Sequence, residues 1–126
     1  MKSDNVVLEK SYRFAVKIVK VCRMLQIEQK EFVLSKQLLR SGTSIGSNIE
    51  EAVGGQTKKD FFAKLTVAYK EARETHYWIR LMVETNLMTS EQGNELLQDT
   101  EELLRIIGSI QKTIRNSTIH NTSSHS

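Results

Sequence analysis

The sequence predicts an all-α protein, an antiparallel up-down-up-down four-helix bundle, on three observations. Phe61, Leu65, Ala68, Ala72, Thr75, Ile79 and Met82 recur in alternating steps of four and three, which sets seven side chains on one stripe of a helix. Gly93, Leu96, Thr100, Leu103, Ile107, Ile110 and Ile114 repeat that pattern. Proline is absent; four long helices tolerate this well, because interior proline breaks a helix.

The first helix is expected over about residues 4–24. Its core stripe is Val7, Phe14, Ile18, Val21 and Leu25, with Ala15 and Cys22 beside it. After a connection over 26–29, the second helix runs to about residue 53 through Leu34, Leu38, Ile45, Ile49 and Ala52. Gly54-Gly55 should end it, since glycine accepts the left-handed conformation that terminates helices. Thr57 with Asp60, and Thr89 with Gln92, have the spacing of capping boxes and open the third and fourth helices. These extend to about Glu84 and Arg115. Short loops between long helices make sequence neighbours antiparallel. Residues 1–116 are thus the bundle. Residues 117–126, polar except for Ile119, bury too little to order themselves and are expected as a flexible tail.

A chain of 126 residues is long enough for one domain with a core that needs neither disulfide nor metal. Cys22 is the single cysteine, so no intrachain disulfide forms and a reducing compartment fits. The first ten residues lack an apolar signal core, and no stretch approaches the roughly 18 apolar residues of a membrane span. A cytoplasmic protein without a membrane partner is expected. The net charge is +3, unevenly spread: +4 over residues 1–26, −1 over 27–55, +2 over 56–86 and −2 over 87–126.

The second helix contains an unusual interior, Arg40-Ser41-Gly42-Thr43-Ser44-Ile45-Gly46-Ser47-Asn48. Glycine costs about 1 kcal/mol against alanine there, so tertiary contacts must offset the loss. Gly42 and Gly46, one turn apart, invite close approach of another backbone. Gln37, Ser41, Ser44, Asn48 and Glu51 form a polar stripe beside the apolar one, and Glu71 and Glu74 border the core stripe of the third helix. A hydrogen-bonded layer between these helices, or between subunits, follows.

These residues resemble the four-helix-bundle family of 23S ribosomal RNA intervening-sequence proteins. The likeness lies in Gln37-Leu38-Leu39-Arg40, Ser44-Ile45 and Asn48-Ile49-Glu50-Glu51-Ala52. It resumes at Lys59-Asp60-Phe61, Lys70-Glu71-Ala72-Arg73-Glu74-Thr75 and Tyr77-Trp78-Ile79-Arg80-Leu81. The resemblance implies a bundle that assembles into a homopentameric ring. It also extends to the accessory proteins of diversity-generating retroelements, which implies a basic ring that binds nucleic acid and a reverse transcriptase.

Candidate sites are few. Lys10, Arg13, Lys17 and Lys20 share one side of the first helix, with Arg23 further round and no acid between Glu9 and Glu28. That stripe is either a phosphate-backbone surface for RNA or DNA or an ordinary solvated face. Phe62, Tyr69, Tyr77 and Trp78 lie off the main stripe of the third helix, where a subunit interface would cover them; partial burial at the bundle edge is the alternative. A di-iron bundle needs Glu-x-x-His pairs, but Arg73 stands three residues before His76, so neither a metal nor another cofactor is expected. Ser44 has no nearby histidine in sequence that would make it a nucleophile. The expected function is a non-enzymatic oligomeric module that presents charge to nucleic acid. The alternative is a purely structural or protein-interaction module.

Overall fold

A computed structural model shows four helices, α1 (Lys2–Glu28), α2 (Val33–Val53), α3 (Lys58–Glu84) and α4 (Ser90–His125). The structure describes the backbone of residues 2–125 and the side chains of residues 4–117. Each helix packs on its sequence neighbours, and α4 closes the bundle against α1 along the sparsest of the four seams. Among the described residues, the diagonal pairs make no close backbone approach. This is the expected four-helix bundle.

The core is built from the expected stripes, with a few displacements. On α3, six of the seven predicted positions are buried and Phe61 is half-buried. On α4, Ile114 is half-buried while the other six are buried. On α1, Val21 is only half-buried, and Cys22 takes its place beside Val7, Phe14, Ile18 and Leu25. Leu34 of α2 is likewise half-buried. Burial of Cys22 away from water pushes its thiol up to about 12, which leaves it protonated and unreactive.

Gly42 and Gly46 draw α1 and α2 together. A Cβ at Gly42 would lie 2.8 Å from Ile18 Cγ1, and one at Gly46 would lie 3.3 Å from the Ser11 carbonyl oxygen. Ser11 is fully buried there, its hydroxyl donating to the Leu8 carbonyl at 3.1 Å.

The helix ends differ from expectation in four places, the first being α1, which runs on to Glu28 through most of the connection expected over 26–29. Gly54 has φ −79°, and no glycine has positive φ, so α2 does not end on a left-handed glycine. The left-handed positions are Lys30 (φ 55°) and Asn86 (φ 63°). Asn86 closes α3, with Leu87 N–H donating to Met82 and Asn86 N–H to Val83, the paired bonds of a Schellman end. The start of α2 falls at Val33, where the Glu31 carboxylate accepts from Ser35 N at 2.8 Å. Helix α4 continues to His125, past the expected end at Arg115, since no glycine or proline follows Gly108 to break it. The flexible tail expected over 117–126 falls on residues whose side chains, from 118 onward, lie outside the described residues. The second capping box forms in full, Thr89 and Gln92 capping each other reciprocally, whereas the first gives the N-cap bond alone, Thr57 Oγ1 accepting from Asp60 N at 3.0 Å.

Candidate nucleic-acid interface

The cations of α1 are mostly engaged within the chain. Lys10 pairs with Glu102 at 3.2 Å, and Lys17 bridges Glu95 at 3.0 Å and Asp99 at 2.8 Å. Arg13 pairs with Glu9. Hydrogen bonds to Asp99 and then Glu95 raise the Lys17 pKa above the ordinary lysine value. Of the five, Lys20 and Arg23 alone are exposed without an ion-pair partner among the described residues. The acidic fourth helix therefore neutralises much of the basic first one. A cleft of about 250 Å³ lies along this seam, between Lys10, Phe14, Lys17, Asp99 and Glu102.

The polar motif is assembled within one chain across the α2–α3 seam. Arg40 binds Glu71 at 3.1 Å and also Glu74, with Gln37 Oε1 at the edge, 3.5 Å away. Trp78 donates its indole N–H to Glu74 at 2.9 Å. Asn48 donates to the Ser44 carbonyl at 2.8 Å, so both stay on their own helix. Glu51 pairs with Lys64 at 2.9 Å. In the middle of the seam Thr75 and Ser41 meet in the core.

The four aromatic residues expected off the main stripe of α3 separate. Tyr69 and Trp78 pack against the chain's own core. Phe62 is half-buried with the Arg115 guanidinium 5.7 Å from its ring centroid. Tyr77 is 50 % exposed and meets Trp78 edge-on, with centroids 5.2 Å apart and planes at 72°.

The bundle also creates a basic face that neither helix shows alone. Lys59, Ala63, Thr66, Lys70, Arg73, Tyr77 and Arg80 follow one another in steps of four and three along the outer side of α3. Arg105, Gly108, Lys112 and Arg115 do the same on the adjoining side of α4. Four contacts fix the register between them: His76 to Glu101 at 3.0 Å, Gln111 to Thr66 at 3.0 Å, Gly108 beside Tyr69, and Arg115 over Phe62. Lys70, Arg73, Arg80, Arg105, Lys112 and Arg115 are exposed, and none has an ion-pair partner among the described residues. Glu101 on this seam is already engaged by His76, and Glu84 stands only at the far end. The signal lay in the sequence as two short runs, over 59–80 and 105–115, that become one surface only when α3 and α4 are side by side.

Cys22 is buried with its Sγ 3.3 Å from the Ser35 carbonyl oxygen. Among the described residues, no group of three or more His, Cys, Asp or Glu is placed to hold a metal, and no helix is long and apolar enough to cross a membrane.

The chain matches the model of the 23S rRNA-intervening sequence protein family over residues 3–109. It is also similar to a crystallographically solved protein of unknown function from the S23 ribosomal protein family of Bacteroides thetaiotaomicron. That likeness has 51 % sequence identity and a TM-score of 0.86, and it covers 87 % of this chain and 98 % of that one. No curated protein matches.

Proposed function

The chain belongs to the 23S rRNA-intervening sequence protein family, and from that premise we propose that it is a non-enzymatic module that binds nucleic acid through the α3–α4 face. One observation carries the reading. Six exposed cations on adjoining helix faces lack ion-pair partners among the described residues, whereas on α1 Lys10 and Lys17 are paired with acids of α4 and Arg13 with Glu9. A phosphate backbone supplies the missing counter-charge, and binding gains from released counterions. Self-assembly into a ring, as the family resemblance implies, multiplies that field.

Fluorescence anisotropy with a labelled RNA tests it. Affinity should fall with salt on a slope equal to several phosphate contacts. Arg73→Glu with Lys112→Glu should abolish most of the binding, while Lys10→Gln with Lys17→Gln changes it little. Absence of binding at about 50 mM salt, where such contacts are strong, overturns the proposal.

A second reading, a protein-interaction or assembly module, has its own support. Tyr12, Val16, Val19 and Ile27 line the outer side of α1, with Tyr12 66 % and Ile27 63 % exposed. Light scattering decides the assembly part, since a monomer at working concentration removes the ring. Capture of a protein partner that survives nuclease and charge reversal on α3–α4 favours this second reading.

A further inference from the structure

We infer that the nucleic acid this face takes is single-stranded, with Tyr77 as the ring on which an unpaired base stacks. The inference rests on the reading of the α3–α4 face as a phosphate-contacting surface. Tyr77 stands near the C-terminal end of the outer stripe, four residues after Arg73 and three before Arg80, and half of it is open to solvent. An exposed tyrosine ordinarily loses rotamer freedom when a ligand fixes it. Here that freedom is already restricted. The ring meets Trp78 edge-on, the Trp78 indole is tied to Glu74 at 2.9 Å, and Glu74 is held in turn by Arg40.

The Arg80 guanidinium lies 5.9 Å from the Tyr77 ring centroid. A base stacked on this ring therefore has a cation at its side for its own phosphate, while Lys70 and Arg73 continue the track along the same stripe. Within a duplex both faces of every interior base are covered by neighbours, so only phosphates reach the protein. A single strand adds base–aromatic stacking to the same phosphate contacts, and stacking tolerates any sequence.

The experiment compares one labelled oligonucleotide of about 15 nucleotides, within the span of such binding tracks, as a single strand and as its blunt duplex. The single strand should bind about tenfold more tightly. Tyr77→Ala should lose about tenfold on the single strand and nothing on the duplex, and Tyr77→Phe, which keeps the ring, should retain wild-type affinity. Equal or tighter duplex binding, or equal loss from Tyr77→Ala on both forms, overturns the inference. If Arg73→Glu weakens both forms while Tyr77→Ala weakens neither, stacking is refuted and the phosphate-binding face survives. If neither form binds, both fall together.

Discussion

The hydroxyls of Ser41 and Thr75 meet at 2.9 Å across the α2–α3 seam, on side chains that are both fully buried. Thr75 Oγ1 also lies 2.7 Å from the Glu71 carbonyl oxygen, and Ser41 Oγ reaches the Leu38 carbonyl only at 3.5 Å. The two hydroxyls thus satisfy each other where water does not reach. Thr75 on the apolar stripe of α3 and Ser41 beside that of α2 are both tolerated in the core because each reduces the other's desolvation cost.

Thr75→Val keeps the shape and removes the partner of Ser41. It should destabilise the fold by about 1–3 kcal/mol, the cost of a buried polar group left poorly satisfied. Ser41→Ala combined with Thr75→Val should cost less than the two single changes added together, because no orphan remains. Urea denaturation of the four proteins measures this, and strictly additive costs would show the hydroxyls to be uncoupled.

Gly42→Ala and Gly54→Ala should diverge, although each removes a helical-region glycine. A Cβ at Gly42 falls 2.8–2.9 Å from Ile18 Cγ1 and Cγ2, and overpacking of that kind costs about 1–3 kcal/mol, more than the helix propensity gained. At Gly54 the nearest atom is the Glu50 carbonyl oxygen at 3.5 Å, with φ −79°, so alanine fits and should stabilise by about 0.4–1 kcal/mol. Thermal melts separate the two, and a Gly42→Ala protein as stable as wild type would mean that Ile18 repacks freely.

The periodic stripes of α3 and α4 were legible because their buried faces repeat in steps of four and three without a break. Ser11 was not legible as core. Nothing local distinguishes a buried serine from a solvated one, and its burial depends on Gly46 of another helix. Lys10 and Lys17 read as a free basic stripe because the acids that neutralise them stand on α4, 92 residues from Lys10 and 78 from Lys17. The basic face beside Tyr77 was not legible either, since Arg105 and Lys112 come beside α3 only through the packing. Charge along one helix is visible in sequence, and charge across a seam is not.

Lys17 gives the α1–α4 seam a defined pH dependence. Its bonds to Asp99 and Glu95 raise its folded pKa, so the folded state holds the proton more tightly than the unfolded one. The stabilisation is full below the ordinary lysine value of about 10.4 and is lost as pH rises through the raised folded value. With the side chain 42 % exposed, it amounts to less than about 1 kcal/mol. Lys17→Met should therefore be slightly less stable than wild type at pH 8, and the gap should close in strong alkali. A urea-midpoint gap that stays constant with pH would assign the effect to the lysine's alkyl stem.

The same seam predicts a gain of binding on the reading that this module contacts nucleic acid. Glu95, Asp99 and Glu102 occupy Lys10 and Lys17 as phosphates would. The variant Glu95→Gln, Asp99→Asn, Glu102→Gln keeps the side-chain volumes and releases both lysines, at the cost only of surface ion pairs. It should bind RNA more tightly than wild type, and its logarithmic salt slope should steepen by about 1.5, the increment for two added phosphate contacts. Tighter binding with an unchanged slope would reflect only the altered net charge acting at a distance, and would place the released lysines away from the path of the strand. A steeper slope would mean that the acids of α4 shield a second track on α1, which a competing polyanion reaches only after displacing them.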